Sequence, residues 1–160
     1  MPSPRRTTAP PATPPLVLHE FLPYRISVVS EAVSNLFAVR YEERFGLTIP
    51  EWRVMAVVGE NIVQSTQQVI ERTGMDRVRV SRAVIRLADK GLLDRRVHPR
   101  DHRAQVLQLT RAGQAIYTQI VPLAQEMQAA LAAALTAEEL RQFDIILTKV
   151  GQRAREMTSG

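Results

Sequence analysis

Apolar residues recur along this chain with two different periods, and the changes of period mark its elements. Leu22, Ile26, Val29, Val33 and Leu36 or Phe37 follow one another at i, i+4, i+7 spacing, which predicts a long helix that Gly46 can stop. Pro23 is unsuited to a helix interior and predicts a kink or the true start nearby. Phe21, Val28, Ala32 and Val39 lie off that stripe, so more than one side of the helix is apolar. One core cannot use so much apolar surface, and the excess points to a partner. Thr48 with Glu51, and Pro50 in the first turn, then open a helix over "PEWRVMAVVGE" that ends near Gly59. "IVQ" has room only for a very short strand. Ser65 with Gln68 opens "STQQVIERTG", which Gly74 terminates, and Asp76 caps a further helix that Gly91 closes.

After Gly91 the period falls to two. Leu93, Arg95 and Val97 alternate, as do Gln105, Leu107 and Leu109, with the charged turn "HPRDHR" between them: a β-hairpin. Thr110 caps an Ala- and Gln-rich helix to about Leu135, and Thr136 with Glu139 caps a last one. No segment repeats. The expected fold is mainly α, an α+β winged helix. A winged helix-turn-helix lobe over 47–110 lies between a long N-terminal helix over 16–46 and two C-terminal helices over 111–160.

Composition narrows the class. The chain has 160 residues, enough for one domain with a core, and 45% of them are hydrophobic, as in a folded cytosolic protein. Its apolar runs are far shorter than the roughly 20 residues a membrane span needs, so no membrane partner is expected. Residues 1–15 hold six of the ten prolines and no apolar stretch, which predicts a disordered tail rather than a secretory signal. Without cysteine there are no disulfides, thiolate nucleophiles or cysteine-bound zinc. There is no Gly-rich phosphate loop, nucleophile elbow or HExxH motif, and Glu42–Glu43 and Glu138–Glu139 are neighbours that point apart on a helix. Neither an enzyme nor a cofactor is expected. His98 and His102 have metal-ligand spacing for a helix, but Pro99 lies between them in a hairpin turn, so no metal is expected either.

Charge then locates the function. Between Glu71 and Arg103 there are ten Lys or Arg against five Asp or Glu, whereas the rest of the chain is balanced. The whole net charge of +5 therefore sits in one segment, the footprint expected where phosphate is approached. Within "DRVRVSRAVIRLADK", Val80, Ala83, Val84 and Leu87 share one face, suited to a core. Arg79, Arg82 and Arg86 share the opposite face, with Ser81 beside them and Arg77 in the first turn. A helix fits the major groove, and arginine can fork onto guanine or clamp a phosphate. Arg100 and Arg103 at the hairpin tip suit the adjacent minor groove.

The stretch "ERTGMDRVRVSRAVIRLADKGLLDRRVHPRDHRAQVLQLTRAG" resembles the DNA-binding core of MarR-type bacterial regulators. The likeness includes the wing signature of Asp101 and Arg103 followed by Leu109, Thr110 and Gly113, and it extends over most of the chain from about Leu16. It implies a homodimer built from the terminal helices on a pseudo-palindromic operator in double-stranded DNA. It also implies that Arg103 contacts the minor groove and that Asp101 orients it. His102 departs from the Lys, Arg or Glu of many relatives. The family commonly answers to a small aromatic acid. That implies an effector pocket where the first helix meets the "PEWRV" helix, from Phe21, Tyr24, Arg25, Ser27, Trp52 and Arg53. "FLPYRISVVS" is similar to regulators of aromatic-acid catabolism, some of which sense the coenzyme A thioester. The expected function is a cytoplasmic, ligand-responsive repressor of an aromatic-acid catabolic or efflux operon. An architectural protein that coats DNA without reading sequence would share the basic segment but needs no sensor region.

Overall fold

The computed structural model describes residues 15–60, 64–98 and 101–160. Its elements in chain order are α1 (Leu22–Phe45), α2 (Ile49–Gly59), β1 (Gln64–Ser65), α3 (Thr66–Thr73), α4 (Arg77–Asp89), β2 (Leu93–His98), β3 (Asp101–Leu109), α5 (Arg111–Ala132) and α6 (Ala137–Ser159). The chain is mostly helical, with one three-stranded antiparallel sheet in the order β1-β3-β2. It divides into two compact units, one ending at Leu36 and the other running from Phe37 to Gly160.

In the first unit a single 3-10 turn, Leu18–Glu20, precedes α1. Pro23 stands in the first turn of α1, where its missing N–H costs nothing, so it marks a start and not a kink. Leu22, Ile26 and Val29 are exposed at 57, 39 and 56%. The N-terminal part of the stripe that predicted this helix is therefore exposed, whereas Val33 further along is half-buried.

The second unit holds the core. Val54, Met55 and Val58 of α2, Val69 of α3, Leu93 and Leu107 of the sheet and Ile120 of α5 are buried together with Tyr41 and Leu47. The four apolar positions expected to seat α4, Val80, Ala83, Val84 and Leu87, are all buried. Local chemistry sets the helix boundaries. Ser65 Oγ accepts from Gln68 N–H while Gln68 Oε1 accepts from Ser65 N–H, and Thr136 with Glu139 repeats the pattern. Gly74 at φ 65° and Gly91 at φ 68° end α3 and α4 in the left-handed region that glycine alone enters without strain.

The hairpin departs from expectation. Its strands run on to His98 and start again at Asp101, with a bulge between Val97 and His98, so most of "HPRDHR" is strand and not turn. Proline and aspartate mark a reversal, but an exposed ribbon tolerates charged residues up to its last pair. Residues 99–100 and the side chains of His98 and of 101–105 lie outside the described set.

The start of α5 rests on the turn after α4. Thr110 N–H donates to Leu92 O at 3.1 Å, Thr110 Oγ1 donates to Gly91 O at 2.7 Å, and Gly113 N–H donates to Thr110 Oγ1 at 3.0 Å. Gly113 has to be glycine here, because a Cβ on it would stand 2.0 Å from Leu92 O.

Candidate nucleic-acid interface

Asp76 caps α4, with Oδ1 accepting from Arg79 N–H at 2.8 Å. Its apolar face is held by the core, so its outer face is fixed by exclusion. That face carries the exposed Arg77, Arg79, Arg82 and Arg86, and Ser81 is half-buried beside them. The arginines are not alike. Arg79 Nε pairs with Asp76 Oδ2 at 3.3 Å, and Arg77 donates to Gln67 Oε1 of α3 at 3.3 Å. Among the described residues Arg82 and Arg86 have no ion-pair partner, which leaves both guanidinium groups to a ligand.

Two features of this face were not read from the sequence. Thr48 and Pro50, at the start of α2, line a recess of about 170 Å³ with Arg79, Arg82 and Arg86. Val78, 57% exposed in the first turn of α4, offers an apolar contact of the kind a thymine methyl takes. Loss of the cap should be mild: Asp76→Ala is expected to cost about 1 kcal/mol, read as a small drop in the thermal unfolding midpoint. No change in that midpoint would mean that α4 does not depend on its cap.

Thr48, which lines the recess, is bonded to the buried carboxylate of Glu51, 1% exposed. Glu51 Oε2 accepts from Thr48 N–H at 2.7 Å and from Thr48 Oγ1 at 2.9 Å, and Oε1 accepts from Lys90 Nζ at 2.8 Å. Burial pushes its pKa up, but the bonds from Lys90 and Thr48 outweigh that and hold it below the ordinary value. The stabilisation is therefore fully present above the ordinary carboxylate range and is lost as pH falls through the lowered pKa.

On the wing, Arg96 pairs with Asp94 at 3.4 Å, and Arg95 is exposed. Arg100 lies outside the described residues, as do the side chains of Asp101 and Arg103. The expected effector residues fall in both units. Phe21, Tyr24, Arg25 and Ser27 are exposed at the start of α1. Trp52 and Arg53 stand on α2, where Arg53 is exposed and Trp52 is half-buried. The Trp52 ring packs with Tyr41 at 5.3 Å and stacks with Tyr117 at 6.1 Å between centroids. In the second unit a cleft of about 530 Å³ runs between the end of α1 and α5, lined by Arg40, Arg44, Leu123 and Met127.

A capped helix, a glycine turn, a second helix with a basic outer face and a β-hairpin make a winged helix-turn-helix. The profile of the MarR family matches residues 45–104, from the end of α1 into β3. Over these residues the chain is similar to the MarR family. It is 25% identical over 130 residues to the homoprotocatechuate degradative operon repressor of Escherichia coli, covering 81% of this chain and 87% of that one. A MarR/EmrR family transcriptional regulator from Acinetobacter sp. ADP1 superposes with a TM-score of 0.82 at 24% identity, covering 88% of this chain and 99% of that one. BpsR of Bordetella bronchiseptica, whose DNA binding is regulated by 6-hydroxynicotinic acid, superposes with a TM-score of 0.77 at 21% identity, covering 86% and 98%. Residues 45–104 thus combine a winged helix-turn-helix with the profile of a family of transcriptional regulators, and that family and fold are not those of an enzyme. Among its described residues no single helix is long and apolar enough to cross a membrane.

Proposed function

We propose that this chain is a homodimeric repressor that reads a pseudo-palindromic operator and leaves it when a small aromatic acid, or its coenzyme A thioester, binds. The observation that carries the reading is the outer face of α4, where Arg82 and Arg86 stand exposed, without ion-pair partners among the described residues, in a helix held by its core and its cap. In this reading residues 47–110 bind DNA, with α4 in the major groove and Arg100, Asp101 and Arg103 at the minor groove. Segments 16–46 and 111–160 dimerise. Two uncovered apolar surfaces support a second copy: Leu22, Ile26 and Val29 on α1, and Phe143, Ile146, Leu147 and Val150 on α6. Monomeric soluble proteins seldom leave such continuous apolar surface in water.

The effector reading draws on likeness to a repressor of an aromatic-acid degradative operon and to a regulator that answers to 6-hydroxynicotinic acid. Phe21 and Tyr24 offer rings, Arg25 and Arg53 offer guanidinium groups for a carboxylate, and Ser27 and Trp52 complete the set. A panel of phenolic acids and their coenzyme A thioesters tests it by displacement of the protein from a bound duplex. At least one compound is expected to weaken binding, and Arg25→Ala or Arg53→Ala to blunt that response. Binding unchanged by the whole panel would remove the aromatic effector.

A further inference from the structure

The basic stripe of α4 does not face one partner along its whole length. Arg82, Arg86 and Lys90 succeed one another at four-residue steps and so share a face. Arg82 and Arg86 have no ion-pair partner among the described residues, but Lys90 is tied to the protein. Its Nζ donates to Glu51 Oε1 at 2.8 Å and to the backbone oxygen of Gly46 at 2.8 Å. Gly46 is the residue that follows α1, held at φ 63°, and Glu51 belongs to the first turn of α2. One ammonium group thus joins the C-terminal end of α4, the start of α2 and the turn that leaves α1.

Both members of the pair are committed. Glu51 is almost wholly out of water and spends its second oxygen on Thr48, so it needs a cation, and a buried charge left alone is strongly unfavourable. Lys90 stands at the C-cap of α4. The other end of α4 is set by Asp76 and by the Gly74 turn from α3. Lys90 adds a polar tie to the start of α2 at this end; without it, only the packing of Ala83, Val84 and Leu87 and the turn at Gly91 hold the last turns of α4. Forked arginine contacts to base edges tolerate little misplacement, whereas attraction to the phosphate backbone tolerates much.

We propose that Lys90 and Glu51 are positioning residues that set the angle of α4 for reading base edges, and that Lys90 is not a phosphate contact. The proposal rests on α4 being the recognition helix.

The test uses the full-length wild type and the variants Lys90→Met, Lys90→Arg and Glu51→Gln, each checked for a native circular dichroism spectrum and an unchanged sedimentation coefficient. The probes are the duplex sequence that the wild type enriches from random DNA and a scrambled duplex of the same length, each titrated across a salt series. Lys90→Met and Glu51→Gln are each expected to lower the preference for the enriched duplex by about tenfold, roughly one lost base contact. Affinity for scrambled DNA and the salt slope stay at wild-type values, and Lys90→Arg keeps most of the preference. Glu51→Gln is the decisive variant, because a purely electrostatic role predicts tighter binding once a negative charge is removed. The proposal is overturned if Lys90→Met weakens both duplexes alike and lowers the salt slope by about one. It is equally overturned if Glu51→Gln binds more tightly or keeps full preference. Should Lys90→Met not fold, Glu51→Gln and Lys90→Arg still decide. A wild type with no sequence preference at all gives a different signature: it removes the recognition-helix reading itself, and the positioning role with it.

Discussion

Replacing Gly113 with alanine is expected to lower stability by about 3 kcal/mol, the upper end for an overpacked site, and the unfolding midpoint by about 6–12 °C. The added methyl would stand 2.0 Å from the carbonyl oxygen of Leu92 and 2.9 Å from its carbon. Backbone cannot move aside as a flexible side chain can. To make room, α5 has to lift from the turn after α4, which stretches the Thr110 bonds to Gly91 and Leu92 and draws on the packing of Ile120. The loss therefore exceeds that of a single contact, and thermal unfolding followed by circular dichroism measures it. A midpoint within a degree or two of wild type would mean that the start of α5 does not rest on Leu92.

The second large effect concerns recognition. Arg82→Ala and Arg86→Ala are each expected to cost about 1–3 kcal/mol on the preferred duplex, and the double variant roughly thirty-fold or more in affinity, with relaxed base preference. These two are singled out because Asp76 engages Arg79 and Gln67 engages Arg77, whereas Arg82 and Arg86 have no ion-pair partner among the described residues. Arg103→Ala is expected to behave differently, weakening preferred and scrambled duplexes more evenly and lowering the salt slope by about one. Titrations of both duplexes at several salt concentrations separate the two patterns. If the double variant keeps its affinity and preference, α4 is not in the major groove.

What the sequence made legible was what neighbouring residues decide among themselves. Ser65 with Gln68, Asp76, Thr110, and Thr136 with Glu139 cap helices over three or four residues, and Gly74 and Gly91 end them, so spacing alone locates these boundaries. The inward face of α4 was equally readable, because Val80, Ala83, Val84 and Leu87 carry the helical period undisturbed. Contacts distant in sequence were not readable. In the sequence Lys90 counts only as one more charge of the basic segment, and only the fold brings it to Glu51, 39 positions away. Gly113 read as part of a signature, while its physical reason, the carbonyl of Leu92, emerges only when α5 is docked. The resemblance implied Trp52 in an effector pocket, and its ring contacts with Tyr41 and Tyr117 could not be read from the sequence. The hairpin was placed correctly but drawn too short, because charged residues that signal a turn also suit an exposed strand. On the outer face of α4 the arginine positions were visible, but which of them already have partners was not.

Selection of bound duplexes from a random pool decides whether this protein reads DNA sequence as a symmetric dimer. The expected product is an inverted repeat with half-sites about one helical turn, roughly 34 Å, apart, with a clear preference over scrambled DNA that persists at higher salt. Recovery of no motif, with salt-sensitive binding to every duplex alike, would contradict it and identify a protein that coats DNA without reading it.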